Sequence, residues 1–216
     1  MLSFLSLLLP AMSLFEDTYT TIENPVTGLF KDKGSKFIAY AFPFNDEHEL
    51  KDLLMKVKTE HPKARHHCYA YRLGIDRSVF RVNDDGEPAG SAGRPILNTL
   101  LSADLTNILV VVVRYFGGTL LGIPGLINAY KSATQDAIDQ ADTIEKHEQD
   151  VYEIQFEYPQ MNDIMRVVKD ENLDVVKQDF EISCLMQIAI RKTMVNRLAD
   201  QIASLPNTKL KYLRTI

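Results

Sequence analysis

The sequence predicts a two-domain α+β protein, and three observations lead to that prediction. Four consecutive valines, Val110 to Val113, are typical of a strand buried on both faces, because a half-exposed strand would alternate apolar with polar residues. Amphipathic helix patterns lie between such strands in the first two thirds of the chain. A strand-helix-strand-strand-helix-strand pattern follows, after a polar stretch near 143–149. We therefore expect a first domain over 15–143 and a second over 144–216.

Local signals place the elements of the first domain. Asp46 and Glu49 form a D-x-x-E capping box in front of an amphipathic helix. Pro95 and Pro124 suit the first turns of two further helices, and Ile127 is predicted on the buried face of the last one. Strands are predicted over 19–23, 28–31, 35–42, 68–73, 79–83 and 108–115.

The second domain has a compact pattern. Tyr152, Ile154 and Phe156 alternate with polar residues, which is typical of a half-buried strand. Further strands are predicted over 174–180, 183–190 and 209–213, with one helix after the first strand and another after the third. This βαββαβ order is the ferredoxin-like arrangement.

Composition indicates the compartment and the class of partner. The chain has 216 residues, of which 45% are hydrophobic and 25% charged, as in a soluble globular protein. Its two cysteines, Cys68 and Cys184, form no C-x-x-C motif, which favours a reducing cytoplasm over a disulfide framework or structural zinc. The net charge of −5 argues against non-specific nucleic-acid binding. We expect a cytoplasmic protein that binds no DNA.

The apolar start, residues 1–14, is interpreted as an over-called start codon, with the working protein beginning near Met12. No Lys or Arg precedes the apolar run and no A-x-A cleavage site follows it. The run is too short to span a bilayer, so no membrane partner is expected. A removed or membrane-inserted leader and a segment packed on the domain are the alternatives.

A glycine-rich loop follows the valine strand and is the first candidate site. Arg114 and Tyr115 lead into Gly117, Gly118 and Gly122. Glycines at this density indicate positive φ or close backbone contact. A charged residue that leaves a buried strand into such a loop is typical of a site on an open sheet. The alternative is that the glycines only allow close packing, and no G-x-G fingerprint is present.

A second loop, which runs directly into a helix, is a candidate anion site. Free N–H groups of Gly90 and Gly93 and the guanidinium of Arg94 would gather at the positive end of the helix dipole. The motif is not a Walker A loop, because no Gly-Lys-Ser/Thr follows. An ordinary capped turn is the alternative.

Three carboxylates precede that loop. Asp84, Asp85 and Glu87 could bind a divalent cation or supply an acid/base pair, but the spacing is not that of an EF-hand. A hydrated turn, or pairing with Arg94 and Arg114, is the alternative. Because both loops leave the ends of core strands with opposite charges, we expect Glu87 to lie close to Arg114.

A basic run enters the strand at 68–73. Arg65 is followed by His66, His67 and Cys68, but alternation along a strand puts His67 on the opposite face from the other two. One metal ion could not bind all three without distortion. A Cys/His nucleophile would need a cleft or a helix end, and Cys68 is better explained as a core residue. We predict no metal, no cofactor and no catalytic residue.

The chain resembles the YigZ/IMPACT family of uncharacterised or translation-linked proteins. The resemblance covers roughly residues 15–140 through several specific blocks in order. These blocks are Ala64–Cys68, Asp84–Gly90, Ala92-Gly93, Pro95, Val112–Gly118, Leu121-Gly122, Gly125-Leu126 and Ala129-Tyr130.

The resemblance implies a first domain like the second domain of ribosomal protein S5 and a second like a ferredoxin-like domain of elongation factor G. Eukaryotic members regulate a translation-control kinase by competing for its activator, through a chain with an extra N-terminal domain. No catalytic residue comes with the resemblance. It implies a non-enzymatic binding protein linked to translation regulation, with a ribosome-associated protein or structured RNA as partner.

The alternative is an enzyme or sensor that binds a phosphorylated or anionic small molecule at the two loops. The candidate binding residues for either function are Arg65, His66, His67, Asp84, Asp85, Glu87, Gly90, Gly93, Arg94, Arg114, Tyr115, Gly117, Gly118 and Gly122.

Overall fold

Residues 17–76, 78–180 and 184–216 are described by the computed structural model. The apolar start, assigned to residues 1–14, therefore lies outside the described residues. The chain forms two units, one over Thr18–His147 and one over Glu148–Ile216 together with Asp17. Strands and helices occur in both units, so the α+β class is confirmed.

Among the described residues, the first unit contains seven strands and three α-helices. In chain order they are β1 (Thr18–Ile22), β2 (Val26–Asp32), β3 (Ser35–Pro43), α1 (Leu50–Glu60), β4 (His66–Leu73), β5 (Val79–Asn83), α2 (Gly93–Ser102), β6 (Ile108–Tyr115), α3 (Gly122–Asp139) and β7 (Thr143–His147).

A five-stranded antiparallel sheet in the order β2-β3-β6-β4-β5 is the centre of this unit. The valine strand β6 lies in the middle, and Ile108 to Arg114 are all buried, as the unbroken apolar run predicts. Val110 and Val112 pack with α2 and α3 on one face, while Val111 and Val113 pack with α1 on the other. The loops after β5 and β6 therefore start from a rigid layer.

One local prediction about the helices holds in part and one is wrong. Asp46 caps a short 3-10 turn over Glu47–Glu49 that leads directly into α1, and its side chain accepts a hydrogen bond from the His48 amide at 2.9 Å. The prediction for Ile127 is wrong. Ile127 lies on the exposed side of α3, because Leu126, Ala129 and Tyr130 occupy the buried face.

A separate two-stranded sheet joins β1 to β7 in antiparallel register. The sequence did not predict β7, because Thr143–His147 is short, polar and has no regular alternation. This pairing keeps β7 with the first unit, so the division falls after His147 rather than after Thr143.

The second unit has the βαββαβ order. Its elements are β8 (Gln149–Phe156), α4 (Met161–Asp170), β9 (Asp174–Phe180), β10 (Cys184–Arg191), α5 (Val195–Ala203) and β11 (Lys209–Thr215). The sheet is antiparallel with the order β11-β8-β10-β9. Ile164 of α4 and Leu198 of α5 pack with Ile154 and Ile188 on one face of the sheet. Among the described residues, no helix is both long enough and apolar enough to cross a membrane.

Candidate functional site

The loop between β5 and α2 is held by the carboxylate of Asp84. Its Oδ1 accepts hydrogen bonds from the amides of Ala92 at 3.1 Å and Gly93 at 2.8 Å, and its Oδ2 accepts one from the amide of Gly90 at 2.8 Å. The carboxylate thus satisfies the amides of Ala92 and Gly93, which the start of α2 leaves without a partner inside the helix. The amides of Gly90 and Gly93 are thus engaged by a carboxylate of the same chain, and the binding of an external anion there stays a prediction.

Glu87 and Arg114 join the two candidate loops. Arg114 Nη1 lies 2.7 Å from Glu87 Oε1 and 2.9 Å from Oε2, and both side chains are buried. The Tyr130 hydroxyl donates to the same Oε1 at 2.8 Å. The rings of Phe37 and Phe116 lie 5.5 and 5.6 Å from the guanidinium carbon. The predicted proximity of Glu87 and Arg114 is confirmed, and the guanidinium is engaged inside the protein.

Cys68 extends the contacts of Arg114, Glu87 and Tyr130 further into the core. Its Sγ lies 3.2 Å from the Tyr130 hydroxyl and 2.9 Å from the Asp84 carbonyl oxygen. We call Arg114, Glu87, Tyr130 and Cys68 the buried polar chain. Burial raises the pKa of the Cys68 thiol far above its ordinary value, and burial also raises the pKa of Tyr130. Cys68 is therefore a neutral packing residue, since a reactive cysteine needs thiolate character.

The two histidines at the start of β4 each form a hydrogen bond with Asp85. His66 Nδ1 lies 2.9 Å from the Asp85 carbonyl oxygen, so Nδ1 carries the proton in this bond. The His67 amide donates to Asp85 Oδ2 at 2.7 Å. The His67 ring is buried with no hydrogen bond to Nε2, and burial lowers its pKa, although the nearby Asp85 carboxylate acts in the opposite direction. In the part of the chain described, no group of three or more His, Cys, Asp or Glu residues is placed to hold a metal ion.

The glycines after β6 serve close packing and chain reversal. A Cβ on Gly117 would lie 1.9 Å from the backbone carbon of Gly34, and Gly117 also donates its amide to Ser35 Oγ at 3.1 Å. Gly118 has a φ of +89° and Gly122 one of +69°. These contacts favour the structural interpretation of the loop. Tyr115, at the end of β6, bonds through its hydroxyl to His61 Nδ1 at 2.8 Å.

Four exposed apolar side chains lie between the end of β6 and the first half of α3. Phe116 is 57% exposed, Leu120 83%, Ile123 54% and Ile127 40%. We call these four residues the apolar patch. Large exposed apolar side chains grouped within one stretch of chain are typical of an interaction site. Sequence reasoning missed it because Ile127 was assigned to the core, although Leu120 and Ile123 within a glycine-rich loop were a usable signal.

Six of the predicted site residues divide into two groups. Arg65 and Arg94 are exposed and His66 is half-buried, so these three can be reached from solvent. Glu87, Arg114 and Asp84 are committed to contacts within the protein. As a result, Asp84, Glu87 and Arg114 are not free to bind an external ligand, and the enzyme or sensor alternative is not favoured.

Comparisons with known proteins agree with the sequence pattern. The Impact N-terminal domain model matches residues 33–138. The Escherichia coli IMPACT family member YigZ is 34% identical over 191 residues, which is 88% of this chain and 94% of that protein. The Saccharomyces cerevisiae IMPACT homolog is 33% identical over 126 residues, which is 56% of this chain and 46% of that protein.

One solved structure is similar over nearly its whole length. It is described as that of a hypothetical protein, and it has 31% sequence identity and a TM-score of 0.73. The alignment covers 93% of this chain and 99% of the other. The two-unit architecture is therefore shared with a chain of similar extent.

Proposed function

This chain belongs to the IMPACT family, and on that premise we propose that it is a non-enzymatic binding protein linked to translation regulation. Its partner is a ribosome-associated protein or structured RNA, with protein favoured. The resemblance to eukaryotic regulators of a translation-control kinase supports this link. The yeast relative aligns over only 46% of its own length, so only the shared part of its role is carried over.

We further assign each unit to a fold. The first unit is S5-domain-2-like, and the second is a ferredoxin-like domain. The βαββαβ order and the strand order β11-β8-β10-β9 support the second assignment, because the two strands of the split βαβ unit, β8 and β9, are separated by β10.

The apolar patch is the observation on which the binding role depends. Its four side chains lie along one stretch of chain, from the end of β6 into α3, and Ile123 and Ile127 share one helix face. Burying such side chains is the main source of protein association energy. Arg114 of the buried polar chain lies 5.6 Å from the centre of the Phe116 ring, and a side chain that is already held in place loses less entropy on binding. Arg65, His66 and Arg94 provide polar contacts near the loops.

Protein is favoured over RNA for two reasons. The net charge is −5, which disfavours contact with a phosphate backbone. On the face of the second sheet away from α4 and α5, the central strands carry Glu153 and Gln155 of β8 and Leu185 and Gln187 of β10. Sheets that bind single-stranded RNA present aromatic side chains at such positions, and none of these four is aromatic.

Affinity purification of the tagged full chain at low salt tests this function. We expect ribosomal or ribosome-associated proteins to be recovered, as identified by mass spectrometry. The double variant Leu120→Ser/Ile123→Ser should lose them, because it removes apolar area from the patch. The control is Met55→Ser on α1, which changes a side chain that is 56% exposed but lies outside the patch.

Two outcomes would contradict the proposal. One is the recovery of no ribosomal component or RNA above a charge-matched control protein. The other is equal recovery with the patch variant and with wild type. Sequencing of any RNA recovered would separate an RNA partner from a protein partner.

A further inference from the structure

A groove between α2 and α3 lies beside the apolar patch. It has a volume of about 400 Å³, and Ile127 belongs to both the groove and the patch. The lining residues that matter for its chemistry are Arg94, Pro95, Thr99, Ile127 and Lys131. Ile127 supplies the exposed apolar surface, Pro95 is a buried residue of the groove wall, and the Thr99 hydroxyl donates to the Pro95 carbonyl oxygen at 2.9 Å.

The charge of this groove is opposite to that of the chain. Arg94 in the first turn of α2 and Lys131 on α3 are both exposed, and no Asp or Glu is among the lining residues. Neither cation forms an ion pair with any residue that the structure describes. Two free cations facing one concave surface in a protein of net charge −5 indicate an anionic occupant.

We propose that this groove docks an acidic segment of a partner protein, with a carboxylate between Arg94 and Lys131 and an apolar side chain against Ile127. The identification of the occupant as a protein segment rests on the proposed function. A free phosphate would use the two cations and leave the apolar surface uncovered. A base of RNA would lack a stacking partner, because no lining residue is aromatic. An acidic peptide with apolar residues uses both kinds of surface and continues onto the patch through Ile127.

The test uses a phage-displayed library of random peptides and the full chain as target. Selected peptides are expected to combine Asp or Glu with Leu, Ile or Phe. Synthetic versions are then measured by fluorescence anisotropy. Arg94→Glu/Lys131→Glu should weaken binding at least tenfold, since it replaces attraction by repulsion. Lys51→Glu/Lys58→Glu, an equal charge change at two exposed positions on α1, should leave binding within twofold of wild type. Circular dichroism checks that each variant is folded.

Three outcomes would overturn the proposal. These are selection of no peptide, selection of peptides without acidic residues, and binding that the groove variant does not weaken. Displacement of the peptide by oligouridine or by inorganic phosphate at equal concentration would reassign the groove to that ligand. The purification experiment separates this inference from the proposed function. If the groove variant still recovers ribosomal proteins while the patch variant does not, the function stands and the groove proposal fails.

Discussion

Arg114 and Glu87 form a buried ion pair with two N–H···O contacts, 2.7 and 2.9 Å long, from a single guanidinium nitrogen. The pair ties the end of the central strand to the loop after β5. Removal of one member leaves the other charge buried without compensation, which costs more than the pair gained on forming. The pair therefore acts mainly as a constraint that holds the two loops in one arrangement.

Glu87→Gln should destabilise the protein by about 3–5 kcal/mol, because Arg114 then keeps its charge in a buried site. Urea unfolding followed by circular dichroism measures the loss. The matched control is Glu171→Gln, which breaks the more exposed pair between Glu171 and Arg197 and should have a far smaller effect. Equal losses in the two variants would show that the Glu87 pair is not a constraint of this kind.

Asp84→Ala should cost about 1–3 kcal/mol, because the amides of Ala92 and Gly93 lose their acceptor. Asp84→Asn keeps an oxygen for these two amides and should cost less. Hydrogen exchange of the Gly93 amide, measured by NMR, should accelerate in the alanine variant. If the asparagine variant loses as much stability as the alanine variant, hydrogen bonding by Oδ1 is not what holds the loop.

Gly117→Ala should cost about 3 kcal/mol, the upper end of the range for overpacking, because the atoms in the way belong to the backbone of Gly34 and cannot rotate aside. Gly118→Ala should cost only about 1 kcal/mol, from its left-handed φ alone, since no atom lies within 4 Å of the added carbon. Thermal unfolding of both variants compares them directly. The reverse ranking would contradict the packing of the two glycines.

Stability should fall in mild acid because of His67. Burial holds its pKa below the ordinary 6.5, so the unfolded chain binds the proton more readily than the folded protein. The contribution of neutral His67 to the free energy of unfolding is complete above pH 6.5. It is lost as the pH falls from 6.5 through the pKa of His67 in the folded protein. Unfolding free energies from pH 8 to 5 should therefore drop less steeply for His67→Gln than for wild type. His48→Gln, at an exposed site, is the control, and an NMR titration of His67 above 6.5 would contradict the sign.

The parts of the fold with strong local patterns could be predicted from the sequence. The valine strand is one of them, because only burial on both faces explains four valines in a row. The helix after Pro95 is another, because proline suits a first turn. The approach of Glu87 to Arg114 followed from opposite charges at the ends of two core strands.

Features that depend on distant contacts could not be predicted. Asp84 reaches forward to Gly93 to cap α2, and such a bond leaves no periodic trace in the sequence. The strand β7 forms only because β1 lies beside it. The prediction for Ile127 failed because α3 has apolar residues on more than one side. Only packing against the sheet decides which side of α3 is buried.

The register of the small sheet has a consequence for how this protein could be rearranged. Thr18 pairs with His147, so the first and last residues of the first unit are neighbours across two strands. A stretch of chain whose ends meet can be grafted into a surface turn of an unrelated host without rerouting that host's backbone. The segment from Thr18 to His147 therefore has the geometry of a unit that could be inserted into another protein.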